Sequence, residues 1–304
     1  MARVVFLGTP QAAVPSLHEL TRHHEVVSVI TQPDRPKGRS GRPVPPPVKT
    51  AAIDLGLAVA QPGSRGELTS AVSEAGPVDI GVVVAFGRIL GREALEIPSH
   101  GMVNAHFSLL PRWRGAAPVE RALLAGDPMT GVTIIRLDEG LDTGPVLTAQ
   151  AVDIESDENG GELTRRLADL AARLLGQTLG HYLTGDLVPV EQTDEGATYA
   201  DKLTAQDRSL DAGGDVSSFV ARVRALAPEP GATLQIDGDP IQVLAVRPHH
   251  GDVPVGSWRV VDGAPVVGMS DGSVELLVVK RPGKRTMDGM AWVRGLRKSS
   301  GAVA

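Results

Sequence analysis

The run VDIGVVVAF, Val78–Phe86, is apolar at almost every position. A strand with one wet face alternates apolar and polar residues. A continuous run of this kind needs cover on both faces, as a central strand of a parallel sheet has. Other stretches fit the same plan: RVVFLG (Arg3–Gly8), EVVSVIT (Glu25–Thr31), LAVAQ (Leu57–Gln61) and GMVNAHF (Gly101–Phe107). Helical patterns fall between them, over Ala12–His23 and TAAIDLG (Thr50–Gly56), and strands alternating with helices predict an α/β parallel sheet. Beyond this lie a helix through VERALLAGD opened by Pro118, strands in TGVTIIRL (Thr130–Leu137) and GPVLTAQAVDI, and a helix over Glu162–Thr184. That last helix carries an apolar stripe of Leu163, Leu167, Leu170, Leu174 and Leu175.

The character changes near Asp186. LVPVEQTDEGATYADKLTAQD has no clear period and reads as a linker. A short helix from Val216 then gives way to about five short strands, Thr233–Ile236, Ile241–Val246, Gly256–Val261, Val266–Met269 and Ser273–Val279, punctuated by DGDP, DGAP and SDGS. That spacing predicts a small antiparallel barrel, OB-like in size. The expected division is a domain over 1–186, a linker over 187–206 and a barrel over 207–304. A chain of 304 residues has room for two such domains.

Aromatic residues make up only 3% of the chain, so the cores must be built from Val, Leu, Ile and Ala. There is no cysteine, which excludes disulfides, thiolate metal sites and cysteine nucleophiles. No apolar run approaches the roughly 20 residues that span a bilayer, and MARVVFLGTP leads straight into a strand. A cytoplasmic protein is expected. The net charge of −6 argues against a generally basic nucleic-acid binder, yet cations cluster twice. Arg35, Lys37, Arg39, Arg42 and Lys49 face the single acid Asp34. Lys280, Arg281, Lys284, Arg285, Arg294, Arg297 and Lys298 face only Asp288. Such patches suit a large anionic partner gripped at chosen places, or are simply solvated.

Several chemistries are excluded by their missing motifs. Gly8-Thr9-Pro10 follows the first strand where a dinucleotide fingerprint would need G-x-G-x-x-G. P-loop, H-E-x-x-H and G-x-S-x-G patterns are absent. The polar pair Asn104 and His106 remains, set in an apolar strand. Two residues apart on a strand share one face, and open α/β sheets place ligands beyond the carboxyl ends of their strands. An amide and an imidazole there suit an oxygen that gains negative charge in acyl transfer. Alternatively, both merely satisfy loop backbone. The loop LDEGLDTGPV offers Asp142, a carboxylate able to orient the imidazole or relay its proton. Its Asp and Gly content is also that of an ordinary turn.

N-x-H with S-L-L-P after it and D-x-G-x-D-x-G later resembles the folate-dependent formyltransferase family. NAHFSLLPRWRGAAP and GLDTG, with FLGTPQAAVPSL and TQPDRPKGRSGRPVPPPVK, are similar to its methionyl-tRNA branch. The resemblance covers the whole chain and is weaker after Tyr199. It implies transfer of a formyl group from 10-formyltetrahydrofolate to the α-amine of initiator methionyl-tRNA, with no metal and by a monomer. Asn104, His106 and Asp142 match the family's catalytic trio. Ser108, Leu109, Leu110 and Pro111 match its folate segment, and Phe86, Gly87, Ile89 and Leu90 would line the pterin pocket. By the same resemblance Arg35, Lys37, Arg39 and Arg42 clasp the acceptor end, while Lys280, Arg281, Lys284 and Arg285 hold the stem farther down. The chain departs from the family pattern at Ala227–Pro230 (APEP) and at Leu210-Asp211-Ala212, both outside the expected pocket. Relatives that formylate amino-sugar nucleotides share the N-x-H pair and the Asp, and a hydrolase or dehydrogenase module acting on formylfolate itself is a second alternative.

Overall fold

The computed structural model describes residues 1–36, 41–296 and 298–303. Its residues group into two units. One comprises Met1–Pro118, Met129–Asp153 and Thr164–Ala200; the other comprises Val119–Pro128, Ile154–Leu163 and Asp201–Ala304.

In the first unit a seven-stranded sheet runs, in spatial order, Val146–Asp153, Met129–Arg136, Met102–His106, Ile80–Val84, Arg3–Gly8, Glu25–Ile30, Val59–Ala60. The five strands from Met102–His106 to Val59–Ala60 are parallel. Ile80–Val84 is buried at all its positions, as its unbroken apolar run requires. Gly81 sits there because Met102 on the next strand comes so close that a Cβ would lie 2.6 Å from its Cγ. One face of the sheet builds a core from Val5, Leu7, Ile30, Leu68, Val72, Val83, Phe86 and Met102. Burying each large aliphatic side chain contributes roughly 1.5–3 kcal/mol.

The other two strands differ from the parallel expectation. Met129–Arg136 runs antiparallel to Met102–His106, and Val146–Asp153 runs antiparallel to it in turn. Patterning fixes which residues form a strand but not the direction in which it is threaded. A helix not anticipated from the sequence spans Arg65–Glu74, opened by Ser64, whose hydroxyl accepts from Glu67 N at 3.2 Å. Glu67 returns the bond to Gly63 N at 2.7 Å, one residue before the usual capping-box partner. The long helix covers Gly160–Thr184. Asn159 and Glu162 cap its start reciprocally at 3.0 and 3.1 Å, and the five leucines of its stripe are buried.

In the second unit a helix, Val216–Leu226, accompanies an antiparallel sheet of seven strands where the sequence reading gives about five. The additions are Thr286–Asp288 and Ser300–Ala302, too short and polar to register as strands. The sheet curls until its ends meet at a bridge between Ile236 and Val303. The buried rings of Trp258 and Trp292 meet at a tilt of 39°, with centroids 5.7 Å apart.

An ion pair ties down the start of this unit. Arg121 donates to both oxygens of Asp207 at 2.8 and 3.3 Å, and Thr204 adds backbone and hydroxyl bonds at 2.7 and 2.8 Å. These bonds, Arg121's first, hold the Asp207 carboxyl far below the usual carboxylate range. A group whose folded pKa is depressed stabilises fully above its unfolded value, near about 3.9, and loses that contribution as pH falls through the folded pKa. Asp207→Asn is expected to cost about 1–3 kcal/mol at neutral pH in urea unfolding. The gap between variant and parent should close as the pH drops below about 4; a gap unchanged to strongly acid pH would count against the pair.

Candidate active site

Asn104 and His106 occupy the last half of the central strand Met102–His106, on one face. His106 is 5% exposed. Its Nε2 lies 2.8 Å from the carbonyl oxygen of Trp113. A carbonyl only accepts, so Nε2 carries a proton, and any second proton must sit on Nδ1. Trp113 reaches this position through a left-handed backbone, φ 65°. For a bulky residue that costs on the order of 1–3 kcal/mol, so the surroundings must impose it. They do so through Thr198, whose hydroxyl accepts from Trp113 N at 2.9 Å, and through Arg112, whose guanidinium lies 4.3 Å from the indole centroid.

Asp142 meets the pair by an indirect route. Its loop leaves the antiparallel strand at the level where the Asn104 strand begins, since Leu137 N donates to Met102 O at 2.7 Å. Because that strand is antiparallel to the Asn104 strand, the loop must turn back, and Asp142 adopts a left-handed φ of 54°, which a short polar side chain tolerates. Asp138 braces the turn, accepting from Gly140 N at 2.9 Å and from the Thr143 hydroxyl at 2.8 Å. Gly144 closes it against the Arg136 carbonyl so tightly that a Cβ would collide.

The carboxylate then has three neighbours. Oδ1 accepts from Asn104 Nδ2 at 3.4 Å, Oδ2 accepts from Gly115 N at 2.9 Å, and Oδ2 lies 3.6 Å from His106 Nδ1. The last separation exceeds a hydrogen bond. The trio thus sets an imidazole facing a carboxylate, with the second Asn104 amide hydrogen still to give.

Directly after His106 the chain turns through Ser108, Leu109, Leu110 and Pro111. Thr133 organises this turn: its hydroxyl donates to Ser108 O at 2.7 Å and accepts from Leu110 N at 3.1 Å. Ser108 is buried and donates to Arg112 O at 2.6 Å, so its side chain serves the turn; Leu109 and Leu110 stay half-buried. The loop after Ile80–Val84 lies at the same sheet edge. Here the Phe86 and Leu90 side chains are core, Gly87 is open, and Ile89 is 76% exposed. Thr9 and Gln32 bond the Phe86 carbonyl at 3.0 and 3.3 Å.

Among the described residues, the expected tRNA residues fall in both units. Arg35 is exposed in a small hairpin, Arg35–Pro36 against Pro43–Val44, and Arg42 is exposed just before its return strand. Lys37 and Arg39 lie outside the described residues. Lys49 belongs to the hairpin's base: it bonds Asp34 at 2.8 and 2.9 Å and Gln61 at 2.7 Å. That bond, then Gln61's, holds the Asp34 carboxyl below its ordinary range. In the second unit Lys280 ends a strand, and Arg281, Lys284 and Arg285 are exposed in the following turn. Arg297 lies outside the described residues. Among the described residues no group of three or more His, Asp or Glu is placed to hold a metal ion, and no helix is long and apolar enough to cross a membrane.

Sequence reasoning missed Trp113, Gly115, Thr133 and Thr198, because each acts here through backbone or as a brace. Glycine substitutions test the loop's tightness. Gly144→Ala is expected to destabilise by about 1–3 kcal/mol, as overpacking does. Gly180→Ala, on an exposed helical site with open space, should stabilise by about 0.4–1 kcal/mol. Opposite shifts in the urea midpoint check both; equal shifts would refute the packing argument.

Known proteins resemble this chain over nearly its whole length. Residues 2–179 match the family described as formyl transferase, and residues 202–297 match the formyl transferase C-terminal domain. The chain is 46% identical over 300 residues to the methionyl-tRNA formyltransferase of Halorhodospira halophila, covering 97% of each chain. It is 42% identical to that of Thermus thermophilus, covering 96% of each. Among solved structures it shares a fold with HypX from Aquifex aeolicus in complex with tetrahydrofolic acid, at TM-score 0.69 and 18% identity; 97% of this chain is covered, but only 47% of that longer one. The chain thus belongs to the formyl transferase family, in its methionyl-tRNA branch.

Proposed function

We propose that this protein formylates the α-amine of methionine on initiator tRNA, with 10-formyltetrahydrofolate as donor, for translation initiation. The observation that carries the reading is the meeting of Asn104, His106 and Asp142 at one sheet edge, in a chain 46% identical to a methionyl-tRNA formyltransferase. The turn Ser108–Pro111 and the loop of Phe86, Gly87, Ile89 and Leu90 are proposed to hold the folate, which supplies an activated formyl group. We take the protein to act as a cytoplasmic monomer, with the first unit carrying the chemistry and the second contributing cations for phosphates.

The residues divide the work as follows. Negative charge develops on the carbonyl oxygen as the amine adds, and Asn104 Nδ2 and protonated His106 are the donors that meet it. The Trp113 carbonyl keeps His106 Nε2 occupied, so the working position is Nδ1. Asp142 supports positive charge on that ring and takes part in relaying the proton that the amine sheds to the folate nitrogen, which leaves as its bond to the formyl carbon breaks. Two bonds to its own oxygens, from Gly115 N and Asn104 Nδ2, keep its carboxylate from drifting.

His106→Ala is expected to lower kcat at least about 10²–10³-fold, the usual cost of losing such a donor, while equilibrium binding of tRNA stays near the parent value. Near-normal turnover would remove His106 from the chemistry. The substrate class is settled by assaying charged initiator tRNA beside amino-sugar nucleotides, with and without the folate. Formylation of the sugar alone would refute the tRNA assignment, and folate turnover with no acceptor would point to a hydrolase.

Arg35, Arg42, Lys280, Arg281, Lys284 and Arg285 are proposed to meet tRNA phosphates. Arg42→Ala should raise KM for tRNA and leave KM for the folate alone. It should also make the slope of log affinity against log salt shallower by about one. An unchanged slope would argue against a phosphate contact at Arg42.

A further inference from the structure

We infer that Gln192 is a positioning residue for Asp142, an inference that rests on the catalytic reading of Asp142 given above. Gln192 lies in the stretch that reads from sequence as an aperiodic linker, yet its amide is fully engaged. Nε2 donates to the carbonyl oxygens of Asp142 and Gly144 at 2.8 and 2.7 Å. Oε1 accepts from Arg114 Nη2 at 3.0 Å and Nε at 3.3 Å. Arg114 is 3% exposed, and the next residue, Gly115, donates its N–H to the Asp142 carboxylate. A single side chain thereby joins the backbone of the Asp142 loop to the segment that supplies the carboxylate's strongest donor.

The loop needs this restraint. Asp142 sits in a left-handed conformation between Gly140 and Gly144, and soft torsions on either side set where its carboxylate points. Its own side-chain bonds act on the oxygens, whereas Gln192 acts on the loop backbone, at the peptide plane that follows Asp142 and at the one that follows Gly144. The task requires two donors and an acceptor at once on a neutral group. Glu offers no donor, Met offers neither, and Lys offers no acceptor and brings a second cation beside Arg114.

A mere staple between loops would affect stability alone; a positioning residue affects turnover through Asp142. Gln192→Met is expected to lower kcat about tenfold to a hundredfold, the loss that about 1 Å of misplacement causes. KM for tRNA and for the folate should stay within about twofold, the signature of an interaction that matters in the transition state. Gln192→Glu keeps Arg114's acceptor and removes both donors, so it should lose as much kcat as Gln192→Met. The deciding comparison is a cycle with Asp142→Asn. If Gln192 acts through Asp142, the double variant Asp142→Asn/Gln192→Met is no slower than Asp142→Asn alone. Losses that multiply, or a Gln192→Glu variant with parental kcat, overturn the inference while the catalytic reading stands. Parental kcat in Asp142→Asn overturns that reading and this inference with it. Should Gln192→Met fail to fold, Gln192→Glu enters the same cycle.

Discussion

A buried imidazole has two nitrogens to satisfy, and what satisfies the first decides what the second can do. In His106 the first is Nε2, held 2.8 Å from the Trp113 carbonyl. That contact fixes where one proton lives, turns the ring, and leaves Nδ1 on the side of Asp142. Trp113 can offer its carbonyl only from a left-handed backbone, so Arg112, Thr198 and the turn after Ser108 all serve to keep it there. Asp142 then completes the arrangement from the other side of the ring. Remove the carbonyl, and nothing in the described site tells the imidazole which nitrogen should face the carboxylate.

The surrounding polar groups are arranged with similar economy. The Thr133 hydroxyl both gives and accepts a bond within one turn, and Asp142 spends each oxygen on a different donor. Unpaired buried polar groups cost about 1–3 kcal/mol each, so such mutual satisfaction lets polar residues sit at the end of an otherwise apolar strand. Rigidity follows from it. Donors that are already aimed need not reorganise as charge develops, which is the larger part of what electrostatic catalysis requires.

Much of this was legible in the sequence, for a local reason. The buried run at Ile80–Val84 and the leucine stripe of Gly160–Thr184 reflect periodicities of one element, visible in a short window. Asn104 and His106 stood out as polar residues where the pattern wanted apolar ones. Ser64 and Glu67 carried a readable helix-start signature that the apolar pattern of Arg65–Glu74 was too weak to support. Strand direction was not legible, because alternation is the same read either way; hence the return path of the Asp142 loop could not be anticipated. Nor could Gln192 or Thr198 be found. Their roles lie in partners 48 to 85 residues away, and nothing in a polar, aperiodic stretch announces a partner.

Those separations also bear on how the molecule comes into being. The sheet's central strands are complete once residue 106 has been made, and the carboxylate follows at 142, but the braces on Trp113 and on the Asp142 loop arrive only with residues 192–198. Contacts that span long stretches of chain pay their loop-closure entropy before they return anything, so they form late. The braces of the centre thus come from a short polar segment that follows every strand of the first unit's seven-stranded sheet in the chain.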